Sequence, residues 1–186
     1  MFNIEKTHAA ALLTGSGTLA VEAMLSSYGS AGKKVLVLSN GVYGDRLEQI
    51  LKTHGVPIRV LKAPIGYFPR LRTVESVLKK DRALTALAMV HHETSTGMLN
   101  PLADIGALAK KYNKTFLVDA VSSLGAQTVD FKKYGIDFCA GSAGKCLHAY
   151  PGVSFVLVSK KEAARLKKNG QTAFTWIWRR LFAPKT

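Results

Sequence analysis

The sequence is short of several things that would place a protein in a class at once. No apolar run approaches the roughly 20 residues that a membrane-spanning helix needs. The first residues, Met-Phe-Asn-Ile-Glu-Lys, carry no basic stretch followed by a long apolar block, so no secretory leader is expected. There are only two cysteines, Cys139 and Cys146, and they fit neither a CxxC pair nor a zinc-ligand spacing. A metal site is therefore not expected, and a reduced, cytoplasmic compartment is the default. No internal repeat and no low-complexity segment is visible.

Acidic residues are also scarce, 12 against 26 Lys and Arg, which leaves a formal net charge of +14. Such a balance raises the question of a nucleic-acid partner. Its distribution argues against one. Residues 160–186 hold eight Lys or Arg and a single acid, Glu162, and so account for half of the surplus. The rest is scattered in pairs such as Lys33-Lys34 and Lys110-Lys111, near predicted element ends where solvated charge is ordinary. Hydrophobic residues make up 47% and charged residues 20% of the 186, values of a globular chain with one core domain.

Apolar runs alternate with helical patterns, the signature of an α/β domain with a mostly parallel sheet. Helices are predicted over 17–28, 44–54, 74–82 (with Thr73 as cap), 101–112 and 160–168. Strands are predicted at 35–38, 58–61, 85–90 running on into His91-His92-Glu93, 116–119 and 153–158. Gly170 marks a change of composition. Residues 1–170 are expected to form the core domain, and 171–186, with Trp176, Ile177, Trp178, Leu181 and Phe182, a basic and aromatic tail.

Ligands of open α/β sheets bind beyond the carboxyl ends of the strands. Four polar stretches are candidates for that place. Gly15-Ser16-Gly17-Thr18 precedes a helix, whose free N–H groups favour a phosphate. It is not a dinucleotide fingerprint, because Ala20 stands where a third glycine is needed and no clear strand precedes it. An ordinary capped turn is the alternative. Asp119 ends a buried run, where a carboxylate needs a cationic partner such as a protonated pyridine nitrogen, or nearby backbone N–H groups. Gly144-Lys145 is not a P-loop, since Cys139 and Cys146 replace the required Gly and Ser or Thr. The lysine is either an ordinary surface residue or an amine held beside a cofactor, where lysines form Schiff bases. Thr94 lies in the fourth stretch, Glu93 to Gly97. Tyr43, between glycines after a strand, is placed either to stack on a flat ring or to pack in its loop. His91 and His92 point to opposite sides of a strand and lack HExxH spacing, so one is assigned to the core and one to the neighbourhood of the site.

Five segments, in this order, resemble the class V aminotransferases of fold type I. They are Thr14 to Met24, Asn40 to Arg46, His92 to Leu102, Val118 to Gly125, and Ser142 to Leu147 before Pro151-Gly152. Order and spacing agree from about Ala11 to Lys168. The pattern lies nearest to the 2-aminoethylphosphonate–pyruvate branch, with the alanine–glyoxylate branch more distant. The resemblance implies a three-layer large domain, a mostly parallel sheet with helices on both faces, binding pyridoxal 5′-phosphate (PLP). It implies that Lys145 is the Schiff-base lysine and Asp119 the acid facing the pyridine nitrogen. Ser16, Gly17 and Thr18 would cradle the phosphate, Tyr43 and Val121 would cover the two ring faces, and Thr94 would bring a hydroxyl near the cofactor.

The same resemblance implies transamination from 2-aminoethylphosphonate to pyruvate by a homodimer. The sequence also departs from the pattern. Gly144 stands where relatives carry Asn or Gln. The segment before the first glycine turn is almost missing, and so is the C-terminal small domain with its carboxylate-binding arginine. Truncation at both ends is therefore expected. Two other readings stay open, a non-catalytic remnant that keeps the fold and a basic binding module built on residues 160–186.

Overall fold

The computed structural model describes residues 4–29 and 33–168. The proposed tail over 171–186 lies outside them. Seven strands form the main sheet: β1 (His8–Thr14), β2 (Lys34–Ser39), β3 (Ile58–Lys62), β4 (Leu84–Val90), β7 (Thr115–Asp119), β8 (Phe138–Ser142) and β9 (Val153–Ser159). Between β4 and β7 the chain makes a two-stranded hairpin, β5 (His92–Glu93) with β6 (Met98–Leu99). The spatial order is β1-β9-β8-β7-β4-β2-β3. All neighbours are parallel except β9, which runs against both β8 and β1.

Helices cover both faces because the buried strands carry apolar residues on both. Along β2, Val35 and Val37 face one side while Leu36 and Leu38 face the other, the two-residue period of a strand. One layer holds α1 (Gly17–Gly29), α2 (Val42–Thr53) and the apolar side of α6 (Lys160–Lys168). The opposite layer holds α3 (Leu71–Lys80), α4 (Leu102–Lys111) and the short α5 (Phe131–Tyr134). In β4 the small Ala86 and Ala88 meet the first layer, and Leu87 and Met89 fill the second.

Three features differ from the sequence expectation. A strand does precede the glycine turn. β1 is Ala-rich and sits at the sheet edge, so its residues have little of the β-branched character that marks strands. Thr73 does not cap α3. The helix begins at Leu71, right after Pro69-Arg70, and Thr73 N donates to Arg70 O at 2.8 Å within the first turn. The run from β4 does not continue through Glu93, because the chain breaks at His91 and restarts as the hairpin.

The topology decides where the site lies. β8, β7, β4 and β2 are mutually parallel, and β1, two antiparallel steps from β8, points the same way. β3 is parallel to β2 as well, so the carboxyl ends of six strands, Thr14, Ser39, Lys62, Val90, Asp119 and Ser142, open on one edge. Leu87 is fully buried in the ladder that aligns them. Leu87→Ala is expected to lower the unfolding free energy by about 2–5 kcal/mol. Leu12, 65% exposed on the edge strand, should tolerate the same change within about 0.5 kcal/mol. Urea titration of both variants checks this.

Candidate active site

At that edge a cavity of about 190 Å³ is lined by Ser16, Gly17, Thr18, Tyr43, Thr94, Asp119, Val121 and Lys145. These are the eight residues singled out from the sequence, brought together from the carboxyl ends of five strands, β1, β2, β4, β7 and β8, and the segments that follow them. Val21, Arg46, Val90, His92, Ser122 and Ser142 complete the lining.

The turn after β1 delivers the first group. Gly17 starts α1, and the first N–H groups of a helix have no carbonyl of their own helix to meet. Ser16 Oγ accepts from Leu19 N at 3.4 Å. A Cβ on Gly17 would come within 2.6 Å of Val121 Cγ1, so only glycine lets this backbone approach the loop after β7.

Asp119 is the last residue of β7, 7% exposed. Its Oδ1 accepts from Val121 N at 3.0 Å, and no donor among the described residues reaches Oδ2. Burial pushes the carboxyl up to about 6; the Val121 N–H opposes this, the nearby Glu93 carboxylate adds to it, and Arg46 opposes it. A buried acid with one oxygen unmet calls for a cation arriving from the cavity. Lys145 lies in the turn after β8, exposed, with no ion pair among the described residues. Gly144 packs on Pro151, where a Cβ would sit 3.1 Å from Pro151 Cα.

Glu93 and Arg46 were not among the residues singled out from the sequence. Glu93 is fully buried and holds the start of α2. It accepts from Tyr43 N at 3.3 Å and Gly44 N at 3.0 Å, and Ser95 Oγ donates to it at 2.5 Å. It thereby does from another element the work of a missing N-cap side chain, since Gly41 offers none. Nothing in the sequence spacing points to this pairing. Arg46 was legible in part: three residues after Tyr43, it shares its helix face. Its guanidinium lies 4.7 Å from the Tyr43 ring centroid, and Nη1 donates to Thr18 Oγ1 at 3.0 Å. Of the two histidines, His92 lines the cavity, whereas His91 is buried with Nδ1 2.9 Å from Ser123 Oγ.

A seven-stranded mixed sheet with a glycine turn, a buried strand-end acid and a loop lysine at one edge has the architecture of the fold type I PLP enzymes. The structure overlays on an alanine–glyoxylate aminotransferase from Nostoc sp. with a TM-score of 0.82 at 30% identity, covering 91% of this chain and 45% of that one. With ureidoglycine–glyoxylate aminotransferase from Bacillus subtilis the TM-score is 0.84 at 27% identity, covering 93% and 47%. The aminotransferase class-V family model matches residues 1–175. The chain belongs to the class V aminotransferase family, and the cofactor that family and fold imply is pyridoxal 5′-phosphate. In sequence it is 41% identical over 160 residues to a 2-aminoethylphosphonate–pyruvate transaminase of Klebsiella pneumoniae, covering 86% of this chain and 44% of the relative. The chain thus spans less than half the length of that curated relative.

Asp119 makes a measurable pH term. The unfolded carboxyl titrates near about 3.9, the folded one at about 6. The folded state holds the proton more tightly, so this residue's contribution to stability falls as pH rises from about 4 to about 6. His91 acts oppositely, because burial lowers its ring to about 4. The comparison of Asp119→Asn with wild type isolates the first effect. In cofactor-free protein the variant should gain on wild type with rising pH, reaching on the order of 2–3 kcal/mol by neutral pH. A gap constant from pH 4 to 7 in urea titrations would contradict a buried carboxyl at this place.

Proposed function

We propose that this crevice binds PLP and carries transamination of 2-aminoethylphosphonate with pyruvate, giving phosphonoacetaldehyde and alanine. The convergence of eight residues from five separate segments on one cavity is the observation that carries this reading. The match to the Klebsiella pneumoniae transaminase supports the donor and acceptor.

The residues present fit the cofactor. Asp119 has an unmet carboxylate oxygen for a pyridinium N–H, and the Gly17 backbone leaves a cradle that a Cβ would fill. When bound, PLP supplies a sink for the electrons left when the C–H bond beside the donor amine breaks. Asp119 keeps the ring nitrogen protonated, and pairing with that cation draws its own proton affinity down. Lys145 Nζ, an amine on a flexible stem, takes the substrate proton as base and returns it as acid. Ser16, Gly17 and Thr18 hold the phosphate with hydroxyl and backbone donors at the positive end of α1. Tyr43 and Val121 exclude water from the two ring faces, and Thr94 offers its hydroxyl at the rim.

Adding PLP to the purified chain should produce a visible absorbance band that borohydride removes. Lys145→Ala should lack it. With that band present, 2-aminoethylphosphonate and pyruvate should yield alanine. A band without alanine leaves the remnant reading, a fold that keeps the cofactor and has no turnover; no band in wild type sinks the cofactor assignment. The basic-module reading instead requires salt-sensitive binding to nucleic acid or anionic lipid, lost on deletion of residues 160–186.

The reading includes a cytoplasmic homodimer. The compartment is the default for a chain whose two cysteines fit no CxxC or zinc spacing. Sedimentation should give twice the 20.1 kDa chain mass, and a monomer at micromolar concentration would refute the dimer.

A further inference from the structure

We propose that Arg46 supplies the positive charge that holds the cofactor phosphate at the α1 turn. This rests on the cofactor reading above and adds to it a residue outside the glycine turn.

The charge requirement comes first. A phosphate monoester carries nearly two negative charges at neutral pH, whereas a helix N-terminus offers about half a positive one. The cavity is lined by two basic side chains of lysine or arginine type, Lys145 and Arg46. Lys145 is taken up by carbonyl chemistry in the proposed reaction. Arg46 remains.

Its surroundings leave it free for that task. The two acids beside it on α2 are already paired. Asp45 meets Lys62 at 2.9 Å, and Glu48 meets Lys52 at 2.6 Å and Lys62 at 3.0 Å. Among the described residues Arg46 has no carboxylate partner. Of its five N–H groups one is spent, on Thr18 Oγ1. That bond also aims the threonine. A hydroxyl has a single proton to give, and because Thr18 Oγ1 accepts from Arg46, its own proton is available to an anion. The Tyr43 ring, 4.7 Å away, keeps the guanidinium in place, and the Glu93 carboxylate anchors the first turn of the helix that carries both.

The test compares PLP with pyridoxal, which is the same ring without the phosphate. Dissociation constants are read from the Lys145-dependent absorbance band, with Lys145→Ala as blank. Arg46→Gln should weaken PLP about ten- to a hundredfold, the range of a charge-assisted hydrogen bond, and pyridoxal by less than about threefold. Arg46→Lys should recover part of the loss. In ³¹P spectra the bound phosphate of wild type should stay dianionic below its ordinary second pKa of about 6, and that of Arg46→Gln should titrate near it. Equal loss of both ligands would show that Arg46 only supports the Tyr43 ring, and overturns the proposal. So does an unchanged PLP affinity. If wild type forms no Lys145-dependent band with either ligand, the cofactor reading itself fails, a result distinct from a selective loss in the variant.

Discussion

The site depends on the hydrogen-bonded register of the central parallel strands. Val90 pairs with Asp119, and Asp119 with Ala140. This ladder sets an acid at the sheet's edge with apolar strands on either side, and the helices on both faces keep water from it. Shifting β7 by one residue would turn every side chain to the other face and remove Asp119 from the crevice. Its raised proton affinity is a direct consequence of that burial.

A second tie holds the crevice walls together. The hairpin after β4 sends Glu93 under the first turn of α2, and four donors converge on its carboxylate: Tyr43 N, Gly44 N, and the N–H and hydroxyl of Ser95. The segment that carries Tyr43 and Arg46 is thus pinned to the hairpin that follows β4. Gly41 has no room for a side chain here, since a Cβ would lie 2.5 Å from the Glu93 carboxyl carbon. The same buried negative charge raises Asp119 further, so packing and electrostatics of the site are coupled through one residue.

Much of the fold was legible. Long apolar runs such as Leu84 to Val90, and helices with a strong apolar face such as α3, announce themselves by period. The edge strand His8–Thr14 did not, because Ala and Leu at an edge carry no strand signature. The hairpin at 92–99 did not either, because two-residue strands are set by their partner and not by local pattern. Of the candidate site, the glycine turn, Tyr43, Asp119, Lys145 and the stretch with Thr94 stood out by residue type and position, and family order added Val121 and the roles. The part played by Glu93 did not stand out, since its role is to complete a helix 50 residues away in sequence.

The sequence by itself determined the α/β class, the order of its main elements and the residue types available for cofactor chemistry. Hydrophobic period and motif order are local properties of the chain. Only the tertiary structure decided that Thr14, Ser39, Val90, Asp119 and Ser142 end on one edge, because strand order and direction are set by pairing between distant segments. It also decided which histidine meets the cavity, and that Arg46 rather than another cation reaches Thr18. Those facts depend on burial and on contacts across the chain, which no spacing along it encodes.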